Sequence, residues 1–162
     1  MYEGDELLTK KCRQVDKFDE RLHELLDDMK ETMYKAGGVG LAAPQVGILR
    51  RVAIVDTGDG LVEMVNPEIV ESSGEQREQE GCLSCPGQWG ITVRPMIVKV
   101  QAKNRFGESV EIFGRALKAR ALCHEIDHLD GILFIDRIPK EQLEEAEPAL
   151  KLMAKEEAKR IK

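Results

Sequence analysis

Between Arg51 and Phe113 the chain carries strand signals and no helical pattern. Arg51–Asp56 and Leu61–Val65 are short β-branched runs. Thr57-Gly58-Asp59-Gly60 separates them and reads as a hairpin loop. Asn66-Pro67 is expected to end the second run. Ile97–Lys103 is the clearest strand: Val98, Val100 and Ala102 alternate with Lys99, Gln101 and Lys103, the pattern of a sheet with one wet face. Asn104–Gly107 turns the chain into a further strand, Ser109–Phe113. Parallel strands need long crossovers, usually helical, and none separates these runs, so a βαβ arrangement is excluded. The expected fold is α+β with a largely antiparallel sheet.

Helices flank this block. Leu22, Leu25, Leu26, Met29 and Met33 recur at helical spacing and place an N-terminal helix over Asp16–Ala36, stopped by Gly37-Gly38. A second helix is expected from Arg115 to Asp130, capped by Gly131. A third, C-terminal helical region lies beyond Pro139 and is interrupted at Pro148. With 162 residues the chain is long enough for one domain with a sizeable core, expected over 1–162.

On the second helix Leu117, Ala121, His124 and His128 share one face, so both histidines point where the apolar residues point. Residues four apart lie one turn above each other, and two imidazoles in His124-Glu125-Ile126-Asp127-His128 can reach one ion. The expected architecture is therefore sheet packed around a central metal-binding helix. Glu125 sits about 100° round the helix from His124, where a general base for a hydrolytic reaction belongs. By itself the motif is ambiguous, because two core histidines satisfied by hydrogen bonds would look the same.

Hydrolytic sites of this type use three protein ligands and leave a position open. Cys82, in Glu80-Gly81-Cys82-Leu83-Ser84-Cys85-Pro86-Gly87, is the best third candidate, since a thiolate is a strong soft ligand. That stretch reads as a glycine-bearing loop. The Leu83 N–H beside the ligand and the Gln45 side chain could donate to the oxygen of a bound carbonyl. Gln45 follows Gly38-Val39-Gly40-Leu41-Ala42-Ala43-Pro44, whose small side chains leave room for an extended ligand. This stretch lacks the Lys-Ser/Thr of a phosphate loop, and no helical pattern follows it.

Together these three segments resemble, in order, the signature motifs of the peptide deformylases: Gly38–Gln45, Glu80–Ser84 and His124–Gly131. The resemblance covers nearly the whole chain. It implies removal of the N-formyl group from formyl-methionyl nascent peptides, with release of formate. It implies that Cys82, His124 and His128 hold one divalent transition-metal ion, Fe2+ favoured, with Zn2+, Ni2+ or Co2+ as substitutes. Glu125 would move the proton, and Gln45 and Leu83 would meet the oxyanion. Val39 and Gly40 would bind the peptide backbone, and Val39, Leu117 and Ala121 would form a methionine pocket. Arg120, where relatives often carry an apolar residue, could line that pocket with its stem. Glu80 and Arg94 are a candidate ion pair holding the Cys82 segment.

Two rivals stand beside this reading: a metalloprotease with Glu147 as downstream ligand, and a closed structural zinc module using Cys85 as fourth ligand. Net charge is −6 and pI near 5.2, which argues against a stand-alone nucleic-acid binder. No apolar run is long enough to span a membrane. Charges from Glu3 onward argue against a signal peptide, so the expected address is the cytoplasm. The basic residues Lys151, Lys155, Lys159, Arg160 and Lys162 read as a solvated face or as a weak ribosome contact, and both readings stay open.

Overall fold

The computed structural model describes residues 10–82 and 85–132, with the side chains of residues 79–90 outside the description. Helix α1 spans Glu20–Lys35 and α2 spans Leu117–Leu129. Seven strands lie between them: β1 Gly40–Ala42, β2 Val52–Val55, β3 Val62–Ser73, β4 Gln76–Cys82, β5 Cys85–Arg94, β6 Ile97–Lys103 and β7 Ser109–Arg115. They form a five-stranded sheet in the order β1-β2-β3-β6-β7 and a separate hairpin, β4-β5. Every paired strand is antiparallel. The region beyond Pro139 lies outside the described residues, as do Glu147 and the basic C-terminal cluster.

Each helix covers one face of the large sheet. Alternation within β2 shows how: Val52 and Ile54 join α1 residues Leu22, Leu26, Met29 and Met33 in one core, while Ala53 and Val55 join α2 residues Leu122, Ile126 and Leu129 in the other. A strand buried on both faces reads as an unbroken apolar run, as Val52-Ala53-Ile54-Val55 does. β5 also packs against α2, so that helix is enclosed on more than one side.

Three boundaries differ from the sequence expectation. α1 begins at Glu20 rather than Asp16, because the Asp19 carboxylate accepts from the Leu22 N–H at 3.2 Å and caps the first turn. Asn66-Pro67 does not end its strand. β3 runs on to Ser73 through a register shift after Val65, where Asn66 takes a φ of 52°. A bulge admits a proline that regular pairing would refuse. Asn66 also exchanges two hydrogen bonds with the Val15 backbone, at 2.7 and 2.8 Å, which holds it in place. Third, the Glu80–Gly87 segment is largely strand: β4 and β5 pair up to Cys82 opposite Cys85.

β7 passes into α2 through a single residue, Ala116, at φ 55°. A positive φ is costly for a residue with a Cβ. Two contacts hold it: the Ala116 N–H donates to the Met96 carbonyl at 2.9 Å, and its carbonyl accepts from Gln76 Nε2 at 2.9 Å. Gln76 donates to Pro95 as well, and so ties the start of the β4-β5 hairpin to the start of α2.

Candidate metal centre

α2 brings the polar constellation inside. His124, Glu125, Asp127 and His128 are all buried, His128 almost completely at 1% exposure. The two Nε2 atoms stand 3.2 Å apart, with the rings inclined at 63°. Two nitrogens bound tetrahedrally to one ion at ordinary metal–nitrogen distances would be about 3.3 Å apart. The pair therefore fits a metal as it stands. Donor atoms of His124, Glu125 and His128 lie within 4.8 Å of one another.

Glu125 is set by β1. A Cβ added at Gly40 would stand 2.8 Å from Glu125 Cγ and 2.9 Å from Cδ, so the carboxylate arm occupies the space any other residue would fill. β1 is an edge strand, paired only with β2. The Val39 carbonyl accepts from the Asp56 N–H at 2.8 Å, on the β2 side. Bonded residues alternate along an antiparallel ladder. Gly40 and Ala42 therefore turn their backbone groups to the outer edge. Gln45 agrees with this: its Oε1 accepts from the Ala42 N–H at 2.9 Å. That bond fixes the oxygen end of the amide on β1. A short 3-10 turn, Ala43–Val46, with Pro44 in its first turn, puts Gln45 there. No helical periodicity follows the glycines in the sequence, because four residues are too few to show one.

Of the other expected site residues, Ala121 is buried at 6% and Gly40 lies in β1 as described. Leu117 was expected on the buried face of its helix but is 42% exposed, since it is the first helical residue after the Ala116 corner. Val39 is exposed too, at 44%. Arg120 is partly buried and its guanidinium is 4.0 Å from the Glu78 carboxylate. The side chains of Glu80, Cys82 and Cys85, and all of Leu83, lie outside the described residues, so the Cys82 ligand and the Glu80–Arg94 pair are expectations only. Arg94 has a partner that sequence reasoning missed: its guanidinium pairs with Asp127, buried on both sides. A signal was present, because an acid between two inward histidines needs a cation when buried.

Residues 1–144 match the family model described as polypeptide deformylase. A peptide deformylase of Alkaliphilus metalliredigens is 61% identical over 139 residues, 86% of this chain and 95% of the relative. This chain belongs to the peptide deformylase family. Another relative, the peptide deformylase of Acetivibrio thermocellus, is 61% identical over 136 residues, covering 84% of this chain and 80% of the relative. Among solved structures, the deformylase of Thermus thermophilus superposes with a TM-score of 0.94 at 35% identity, over 99% of this chain and 97% of that one. The deformylase of Thermotoga maritima gives 0.83 at 45% identity, over 85% and 95%. Deformylases are metal-dependent amidohydrolases that remove the N-formyl group from the formyl-methionine of new polypeptides, and the α+β fold described above is theirs. Among the described residues no helix is long and apolar enough to cross a membrane.

Proposed function

We propose that residues 1–162 form one catalytic domain in which His124, His128 and Cys82 hold Fe2+, and that Glu125 is its proton-transfer residue. The observation that carries this reading is the convergence of the two Nε2 atoms at 3.2 Å beside a buried glutamate. When bound, the ion supplies Lewis acidity, which lowers the pKa of water and polarises a carbonyl oxygen. Glu125 takes the proton of the attacking water and passes it to the departing amine nitrogen, so that the C–N bond of the formamide breaks and formate leaves. The Gln45 amide and the Leu83 N–H donate to the oxygen that gains negative charge. Gly40 holds the peptide as a short added strand on the outer edge of β1, with Val39 beside it at the start of that strand. Val39, Leu117, Ala121 and the His124 ring line the methionine pocket, with the stem of Arg120 at its side. Glu80 holds the Cys82 strand through Arg94.

The donor set of one thiolate and two imidazoles also accepts Zn2+, Ni2+ or Co2+. Metal analysis of protein purified without air is the check on iron. The compartment proposed is the cytoplasm. The basic residues of 151–162 are proposed to make a weak ribosome contact, and unchanged ribosome co-sedimentation of a chain lacking them would refute it.

The main test is formate release from a formyl-methionyl tripeptide. Glu125→Ala is expected to lower kcat by roughly 10²–10⁴-fold while keeping the metal. Cys82→Ala is expected to lose the metal, and Glu147→Ala to change little. The reverse result for the last two would favour the metalloprotease reading.

A further inference from the structure

The β2–β3 connection does more than reverse the chain. Its residues 56–60 contact three different elements. The Asp56 N–H donates to the Val39 carbonyl at 2.8 Å, at the start of β1. The Tyr34 hydroxyl, from the last turn of α1, donates to Asp56 Oδ2 at 2.5 Å. Lys118, from the first turn of α2, donates from Nζ to Asp59 Oδ2 at 2.9 Å. The loop thus bridges Val39 and the residue next to Leu117, two exposed apolar side chains assigned above to the methionine pocket.

The loop is soft without these ties. Gly58 and Gly60 take φ of 102° and 115°, and nothing stands within 4 Å of where their Cβ atoms would be. Inside the loop, Asp56 Oδ1 accepts from the Gly58 N–H at 2.9 Å, and Thr57 Oγ1 donates to Asp59 at 3.1 Å. These bonds orient the two carboxylates outward, one to each neighbouring helix. The Lys118 side chain is only 22% exposed, so its ammonium is partly withdrawn from competing water.

The direction of a bound peptide follows from the chain itself. Beyond Ala42 the outer edge of β1 is closed by the Ala43–Val46 turn, whose Gln45 already caps Ala42. A peptide with its first group at Gln45 and Glu125 can continue only past Gly40 and Val39. Its methionine and the residues after it then pass the Val39 end of β1, the end that the 56–60 loop holds from the β2 side.

We propose that Asp59 and Lys118 are positioning residues: their ion pair makes the 56–60 loop a strut that sets the spacing of Val39 and Leu117 across the methionine pocket. The inference rests on the functional reading above. The strut touches no reacting atom, so it acts on substrate binding rather than on proton transfer.

The test uses Asp59→Asn, Lys118→Met and the charge swap Asp59→Lys with Lys118→Asp, in the full metal-loaded chain. For a formyl-methionyl tripeptide, each single variant is expected to raise KM roughly 3–5-fold, the scale of one partly exposed ion pair, with kcat within twofold. The swap is expected to restore KM. Hydrogen exchange at the Asp56 amide gives a readout independent of activity, and it should quicken in the single variants and slow again in the swap. Melting curves confirm that each variant is folded. A KM that does not move, a kcat that falls instead, or a swap that restores neither measurement overturns the strut. If the wild type releases no formate, the functional reading falls, and Asp56 exchange alone decides the strut: quickened supports it, unchanged overturns it.

Discussion

The two helices bury opposite kinds of side chain. α1 buries Leu22, Leu25, Leu26, Met29 and Met33 and leaves its charges in water. α2 buries His124, Glu125, Asp127 and His128 along with its apolar residues. Their surroundings explain the contrast. α1 covers the outer face of the sheet and keeps one side wet, whereas α2 is pressed between the other face and β5. A charge on α1 costs nothing to solvate. His124, Glu125, Asp127 and His128 have been taken from water, and their desolvation must be offset by partners or by a bound ion. On one helix charge is solubility; on the other it is chemistry and its support.

The Arg94–Asp127 pair should break that comparison most sharply. It joins β5, the second strand of the hairpin that carries Cys82, to the helix that carries both histidines. Breaking a buried ion pair costs up to about 3–5 kcal/mol. Asp127→Ala is therefore expected to lower stability by that amount in denaturant titration. The double replacement Arg94→Met with Asp127→Leu should lose less than the two single losses added together, because each charge answers the other. Losses that simply add would mean that packing, not charge pairing, holds the hairpin to α2.

The second prediction moves from stability to geometry. Gly40→Ala puts a methyl group where the Glu125 side chain now lies. The helix is enclosed, so the carboxylate must give way. A shift near 1 Å in a catalytic group can cost about 10²-fold in rate. The expected outcome is a loss of that order in kcat with the metal retained, measured by formate release and metal analysis. A full-rate Gly40→Ala enzyme would show that Glu125 has room to spare.

These two sites also mark where sequence reasoning ran out. α1 was legible because its five buried residues repeat at helical spacing. β6 was legible because burial alternates along it. The histidine pair needed only local spacing on one helix. What stayed hidden was contact between residues far apart in the chain. Gly40 against Glu125 and Arg94 against Asp127 each join separate elements, and neither composition nor periodicity encodes such meetings. The Glu80–Gly87 stretch reads as a loop because Gly81 and Gly87 interrupt any apolar alternation. Asn66-Pro67 misled for a different reason: its signal is for a break in pairing, and the structure answers with a bulge rather than an end.

The smallest predicted effect belongs to α1 and sharpens the contrast from the wet side. Asp27 accepts from Arg105 at 2.8 Å, and the same guanidinium pairs with Glu63 of β3 at 2.6 Å. The Arg105 hydrogen bond, helped by its charge, holds the Asp27 carboxyl below its ordinary value of 3.8. A depressed folded pKa contributes stability that is fully present above the unfolded value and is lost as pH falls through the folded one. Wild type should therefore melt slightly above Asp27→Asn at neutral pH. The gap should close as the pH drops below about 4, the ordinary carboxylate range. High salt should narrow it as well, since the carboxylate is open to solvent. A gap that stayed constant from neutral to acid pH would mean that Asp27 holds Arg105 by shape rather than by charge. The rule that α1's charges are cheap would then need an exception at Asp27.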